Sequence, residues 1–130
     1  MANESSSLRT PMGRVRHLGS AKSGTHHAWM MRVTSMALIP LTILFVCILI
    51  SLVGADPVSA RATLGSTGVA VVMLLFILAG VYHMQLGMQT IIEDYIHGHN
   101  AKTWAILLNL AFSAVIGLAC VYAVLKLSFV

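Results

Sequence analysis

His83 is the residue in this chain whose type and position most directly indicate chemistry. It is the one ionisable side chain that lies well inside an apolar run and away from any helix end. Such a group is costly to bury without a partner, so its presence indicates a functional site. Gly80 and Gly87 lie three residues before it and four after it, on the same side of a helix. They remove side chains from the surface around the imidazole.

That clearance would suit a flat macrocycle, and neutral imidazole is a common axial ligand of haem iron. Two structural explanations stand beside this one: glycines also permit close helix packing, and a lone histidine can simply hydrogen-bond to a neighbouring helix. If His83 binds a six-coordinate haem, the second ligand must come from another subunit or a second copy of the chain. The other histidines all fall at or beyond the boundary of an apolar run, namely His17, His26, His27, His97 and His99.

Asp94 follows His83 by eleven residues, about three helical turns, so these two side chains project from nearly the same face about 16 Å apart along the axis. Tyr95 comes next, and both Asp94 and Tyr95 are expected at the inner interface. Taken alone, Asp94 and Tyr95 are better explained as part of a solvated helix end and as an interfacial aromatic residue. Acidic residues such as Glu93 and Asp94 are unfavourable at a helix C-terminus because of the macrodipole. We therefore expect a compensating feature, such as a basic partner protein or a proton-handling role.

The elements that carry these residues are predicted to be three transmembrane helices, at about 30–53, 64–95 and 103–127. Of the 130 residues, 58% are hydrophobic and only 9% charged, whereas soluble domains carry about 25% charged residues. Each apolar run is long enough to cross a hydrocarbon core of about 30 Å. We predict an all-α membrane protein with an N-terminal tail at 1–28 and a membrane domain at 29–127. The third helix shows only packing residues.

The placement of the basic residues predicts a topology with the N-terminus inside and the C-terminus outside. Arg9, Arg14, Arg16, Lys22, Arg32 and Lys102 then lie on the inner side. The net charge of +4 fits this rule better than a nucleic-acid-binding face, so no nucleic-acid partner is expected. The Ser- and Arg-rich tail resembles a transit peptide, but it lacks a visible processing site. We therefore favour a bacterial inner (cytoplasmic) membrane over the inner mitochondrial membrane.

Two motifs resemble those of a known family. The stretch His83-Met-Gln-Leu-Gly87-Met-Gln-Thr-Ile-Ile-Glu-Asp94-Tyr95 is similar to the H-x(3)-G-x(6)-D-Y signature of the small membrane-anchor subunits of succinate dehydrogenase (respiratory complex II). The stretch from Gly24 through His26 and Arg32 to Thr34 resembles the family's G-x-H-x(5)-R-x-T/S entry into its first helix. The resemblance covers residues 24–127, and its first motif is the more specific of the two.

The resemblance implies that His83 is an axial ligand of haem b. The other ligand would come from a partner cytochrome b subunit, with which the three helices would pack into a larger bundle. It further implies that Arg32 lies near the haem propionates, where a cation is electrostatically favourable. His26 would lie in the same region, with His27 as a register alternative.

The resemblance also implies a ubiquinone site at the inner surface, where Tyr95 would hydrogen-bond a quinone carbonyl oxygen and Asp94 would support the site or its proton supply. The chain would anchor a flavoprotein subunit and an iron–sulfur subunit, and by itself it would not be catalytic. It has no dinucleotide fingerprint, and Cys47 and Cys120 form no cysteine cluster. The alternatives are a haem-free anchor of a related fumarate reductase-type complex and a small transporter, which would need several embedded acids.

Overall fold

A computed structural model describes residues 23–129 as four helices in the order α1 (Ser23–Leu52), α2 (Pro57–Gly65), α3 (Thr67–Tyr95) and α4 (His99–Phe129). No strand occurs in this part of the chain. The three long helices, α1, α3 and α4, are all long and apolar enough to cross a membrane. The prediction of an all-α protein with three membrane-spanning helices is therefore confirmed.

Helix α1 begins at Ser23, several residues before the apolar run from which it was predicted. Hydropathy marks only the lipid-compatible part of a helix, whereas the polar residues 24–28 continue the same hydrogen-bonded spiral. The predicted boundary between tail and membrane domain at residue 28 thus falls within α1, and residues 1–22 of the tail lie outside the described residues. Pro40 lies inside α1, which continues through it to Leu52.

The connection between α1 and α3 contains the short helix α2, which the sequence did not predict. Gly54 ends α1 with a positive φ of 78°, a conformation that costs glycine little. Asp56 caps α2: its carboxylate accepts hydrogen bonds from the backbone amides of Val58 (3.1 Å) and Ser59 (3.2 Å) and from the Ser59 hydroxyl (2.6 Å). These bonds, chiefly that from the Ser59 hydroxyl, lower the pKa of Asp56. Pro57 follows at the first helical position, where its missing N–H costs nothing.

Helix α3 is central, because both α1 and α4 pack extensively against it. The stacked rings of Phe45 and Phe76, with centroids 4.5 Å apart, join α1 to α3. Helix α4 approaches α3 closely at Gly117: a Cβ atom added there would lie 3.4 Å from the Val81 side chain on α3.

The short helix α2 packs against the end of α4. A Cβ atom added to Gly65 would lie 2.8 Å from the Leu127 carbonyl oxygen. This separation is closer than real Cβ atoms allow, so the approach of the two backbones depends on glycine at position 65.

Burial within the described residues is slight, and no side chain there is completely enclosed. Large apolar side chains are exposed along all three long helices, among them Ile39, Leu78 and Leu118, at 65%, 58% and 71%. In water such a surface would aggregate, whereas lipid tails and partner helices are suitable surroundings for it. The chain is thus a membrane-embedded protein.

Candidate functional site

His83 forms a hydrogen bond across the α1–α3 interface to Thr34. Its Nδ1 lies 2.9 Å from the Thr34 hydroxyl oxygen. Thr34 is among the few buried residues, at 9% exposure, and His83 is half-buried. The Thr34 hydroxyl also lies 2.8 Å from the carbonyl oxygen of Met30 and 3.1 Å from that of Met31, both on its own helix. The alternative of a histidine bonded to a neighbouring helix therefore accounts for one ring nitrogen.

The second ring nitrogen of His83, Nε2, has no hydrogen-bond partner among residues 23–129. Beside it on the helix, a Cβ added to Gly87 would meet no atom within 4 Å, and one added to Gly80 would meet only the Leu38 side chain at 3.9 Å. A half-buried imidazole with one nitrogen anchored, the other free, and open backbone one turn away suits an axial haem ligand. Within the described residues no cluster of three or more metal-binding side chains occurs.

A second threonine–histidine pair joins the same two helices. His27 Nε2 on α1 lies 3.2 Å from the Thr90 hydroxyl on α3, and Thr90 donates to the Leu86 carbonyl of its own helix at 3.1 Å. His27 and Thr34 are seven residues apart on α1, and His83 and Thr90 are seven residues apart on α3. The two pairs therefore lie about 10 Å apart along the α1–α3 interface, and together we call them the threonine–histidine seam.

The prediction for the propionate region named His26 first and His27 as the register alternative. The structure leaves the His26 side chain exposed and turns His27 toward α3, where it is half-buried.

Arg32 is exposed and lines a shallow cavity of about 420 Å³ together with Gly24, Thr25, Ala28 and Trp29. It precedes Thr34 by two residues, about 200° around the helix, and so projects from the other side of α1. The structure therefore does not bring Arg32 into contact with His83.

Asp94 and Tyr95 form the end of α3 and are both exposed, Tyr95 at 79%. The Lys102 ammonium on α4 donates a hydrogen bond of 2.8 Å to the Glu93 backbone carbonyl in the last turn. Gln89 donates to the Glu93 carboxylate at 2.7 Å. Lys102 thus places a cation at the negative end of the α3 dipole, which is part of the compensation that the acidic helix end requires. The carboxylate of Asp94 and the hydroxyl of Tyr95 form no hydrogen bond with any described residue.

Asn109 lies in the third membrane helix, for which the sequence predicts only packing residues. It is buried, at 8% exposure, and its amide donates a hydrogen bond of 2.9 Å to the Gln85 backbone carbonyl on α3. One turn further, the buried Ser113 hydroxyl has no partner within residues 23–129. The available signal was an asparagine in an apolar run, since such residues commonly bond to a neighbouring membrane helix.

A cavity of about 570 Å³ lies at the opposite end of the bundle from Tyr95. Arg61 on α2 and Lys126 on α4 line it together with Ala62, Gly65, Ala123 and Leu127. It is remote from the threonine–histidine seam and contains none of the residues singled out from the sequence.

Comparisons with known proteins relate most of the chain to one family. Residues 6–119 match the family described as succinate dehydrogenase/fumarate reductase transmembrane subunit. A succinate dehydrogenase hydrophobic membrane anchor subunit from Paracoccus denitrificans is 33% identical over 118 residues, which cover 91% of each chain. A subunit of the same description from Rickettsia bellii is 28% identical, over 90% of this chain and 94% of its own. Another from Rickettsia conorii is 30% identical, over 85% of this chain and 88% of its own. No solved structure gives a significant match. The chain therefore belongs to the succinate dehydrogenase/fumarate reductase transmembrane subunit family, as one of its hydrophobic membrane anchor subunits.

Proposed function

We propose that this anchor subunit supplies one axial ligand of a haem b and part of a ubiquinone-reduction site in a succinate:quinone oxidoreductase. The supporting observation is His83 itself: a half-buried imidazole in the middle of a membrane helix, with Nδ1 bonded within the chain and Nε2 without a partner among residues 23–129. An unprotonated imidazole nitrogen is what an axial position on haem iron requires.

Haem b, when bound, supplies reversible one-electron storage between the iron–sulfur relay and the quinone. His83 would hold the iron, and the partner cytochrome b subunit would supply the other ligand. Arg32 and His26 would neutralise the propionates near the inner surface. For Arg32, whose guanidinium is exposed at the start of the membrane span, a carboxylate partner offers charge-assisted hydrogen bonds.

The test of haem ligation is the His83→Ala variant in the complete complex, measured by the reduced-minus-oxidised absorption spectrum of the purified enzyme. We expect the b-type haem band to disappear or to change to that of a haem lacking one strong-field ligand. His97→Ala, which removes an exposed histidine beyond the end of α3, provides the control and should leave the band intact. An unchanged band in His83→Ala would remove the assignment and favour the haem-free anchor.

The ubiquinone site is proposed at the inner end of α3, around Tyr95 and Asp94. Quinone reduction consumes two electrons and two protons, and negative charge develops on the carbonyl oxygens as electrons arrive. A phenol hydroxyl at the water-facing edge can donate a hydrogen bond to such an oxygen and stabilise that charge. The neighbouring carboxylate of Asp94 can relay protons from water. Both side chains are exposed and free to contact a ligand or a partner subunit.

The test of the quinone role is Tyr95→Phe, which removes one oxygen atom and leaves the ring. We expect slower succinate–quinone reductase activity with nearly unchanged succinate oxidation by an artificial acceptor, because the flavin reaction is remote from this residue. Tyr122→Phe, at an exposed tyrosine near the other end of the bundle, is the matched control. Equal activities of Tyr95→Phe and wild type with quinone would refute the role.

Anchoring of the flavoprotein and iron–sulfur subunits completes the proposal, with the N-terminus on the inner side of a bacterial cytoplasmic membrane. The charge distribution supports this orientation, since Arg32 and Lys102 lie at one end of the bundle and Arg61 and Lys126 at the other, and the tail adds four more basic residues to the first end. Copurification in mild detergent tests the partners, and protease protection of the N-terminal tail in inside-out vesicles tests the orientation.

A further inference from the structure

The Thr34 hydroxyl has one hydrogen, and two backbone carbonyls of α1 compete for it. The oxygen lies 2.8 Å from the Met30 carbonyl, four residues earlier, and 3.1 Å from that of Met31. This is the usual back-bonding geometry of a threonine within a helix. With its hydrogen donated to α1, the Thr34 oxygen retains only lone pairs for His83.

The 2.9 Å contact to His83 is then a bond in which the imidazole Nδ1–H donates and the Thr34 oxygen accepts. A neutral imidazole carries one ring proton, so a proton at Nδ1 leaves Nε2 with its lone pair. The opposite tautomer would put an N–H at Nε2, where residues 23–129 provide no acceptor.

We propose that Thr34 is the positioning residue of the site, holding His83 as the Nδ1–H tautomer with Nε2 free to bind haem iron. This inference rests on the proposed haem ligation by His83. The hydrogen bond fixes the ring's orientation before the iron arrives, and it increases the electron density on Nε2, as outer-sphere acceptors do for ligating histidines. A more electron-rich ligand stabilises ferric iron more than ferrous iron and so lowers the midpoint potential of the haem.

The experiment uses three variants of the complete complex. Thr34→Val keeps the shape of the side chain and removes the acceptor, whereas Thr34→Ser restores it. Thr90→Val removes the hydroxyl of the other threonine–histidine pair on the same two helices, so it controls for the loss of an interhelical hydrogen bond as such. The readouts are the midpoint potential of haem b, its low-spin ferric electron paramagnetic resonance signal and the haem content per flavin.

Thr34→Val is expected to raise the midpoint potential and to change the ferric signal, while Thr34→Ser and Thr90→Val stay close to wild type. Loss of an outer-sphere partner typically weakens metal binding about 10- to 100-fold, and a tenfold weakening confined to the ferric state corresponds to about 59 mV. If Thr34→Val does not assemble, Thr34→Ala removes the same acceptor with less bulk and is measured in its place.

If Thr34→Val keeps the wild-type midpoint potential and ferric signal, the role of Thr34 is overturned. The same result in Thr90→Val as in Thr34→Val would also overturn it, since the effect would then be one of helix packing. The His83→Ala variant separates this failure from that of the proposed function. If His83→Ala loses the haem and Thr34→Val is indistinguishable from wild type, ligation stands and only the positioning role fails.

Discussion

Gly65→Ala tests the close approach between α2 and α4, because alanine adds one atom at a place where there is no room for it. The added Cβ would lie 2.8 Å from the Leu127 carbonyl oxygen and 3.8 Å from its carbon. Leu127 presents backbone here, which cannot rotate away as the end of a side chain could. Helix α2 or the last turn of α4 must therefore move, and overpacking of this kind costs about 1–3 kcal/mol.

Alanine also lowers the free energy of a helix relative to glycine, by at most about 0.5–1 kcal/mol. The clash is the larger effect, so we expect a net loss of about 0.5–2 kcal/mol, or roughly a 2- to 30-fold shift toward the unfolded state. Gly68→Ala is the matched control on the neighbouring helix, since a Cβ there meets no atom within 4 Å. For this variant the helix preference acts alone, and stability should rise slightly.

The assay is the temperature at which the membrane subunits leave the purified complex in mild detergent, measured side by side for wild type and both variants. The expected order of stability is Gly65→Ala below wild type, and wild type at or below Gly68→Ala. Gly65→Ala at least as stable as Gly68→Ala would show that the two backbones are not in contact, and the packing of α2 on α4 would have to be revised.

Two further predictions concern polar contacts outside the proposed haem and quinone sites. Asn109→Leu removes the hydrogen bond to the Gln85 carbonyl. It should lower stability in the same melting assay by about 0.6 kcal/mol, the average for such bonds in membranes. A loss above about 2 kcal/mol would mean that Asn109 has a second role. The pKa of Asp56 is lowered below its ordinary value of 3.8, so its cap stabilises α2 above that pH and is lost as pH falls through the lowered value. The protection factors of the Val58 and Ser59 amides, which compare their hydrogen-exchange rates with the intrinsic rates at each pH, should therefore be higher at neutral pH than in acid. Asp56→Asn should abolish that dependence, whereas pH-independent protection factors in wild type would contradict the capping role.

The sequence predicted the spans because their signal is the transfer of apolar side chains into lipid, which needs no knowledge of the neighbours. It did not predict where α1 begins, since residues 24–28 are polar and helical at once. Helix α2 was missed for a different reason: its nine residues are too few to show a hydrophobic period. Its local signal is a capping residue, Asp56, directly before a proline at the first helical position.

The site was only partly predictable, and the reason is the register between helices. The depth of His83 and its neighbouring glycines follow from counting along one helix. Its bond to Thr34 depends on how far α1 slides past α3, which no intrahelical spacing encodes. The same applies to the choice between His26 and His27 as the residue turned toward α3, and to the bond of Asn109 across to α3.

The central place of α3 has a consequence for the order in which the protein is made. Each extensive contact between long helices joins spans that are consecutive along the chain, α1 with α3 and α3 with α4. The hairpin of α1 and α3 can therefore close while the ribosome is still synthesising α4, in keeping with the N-terminal-first folding of nascent chains. Both threonine–histidine pairs lie within that hairpin. The bond between the candidate ligand His83 and Thr34 therefore needs no residue of α4, and it can form before the last span enters the membrane.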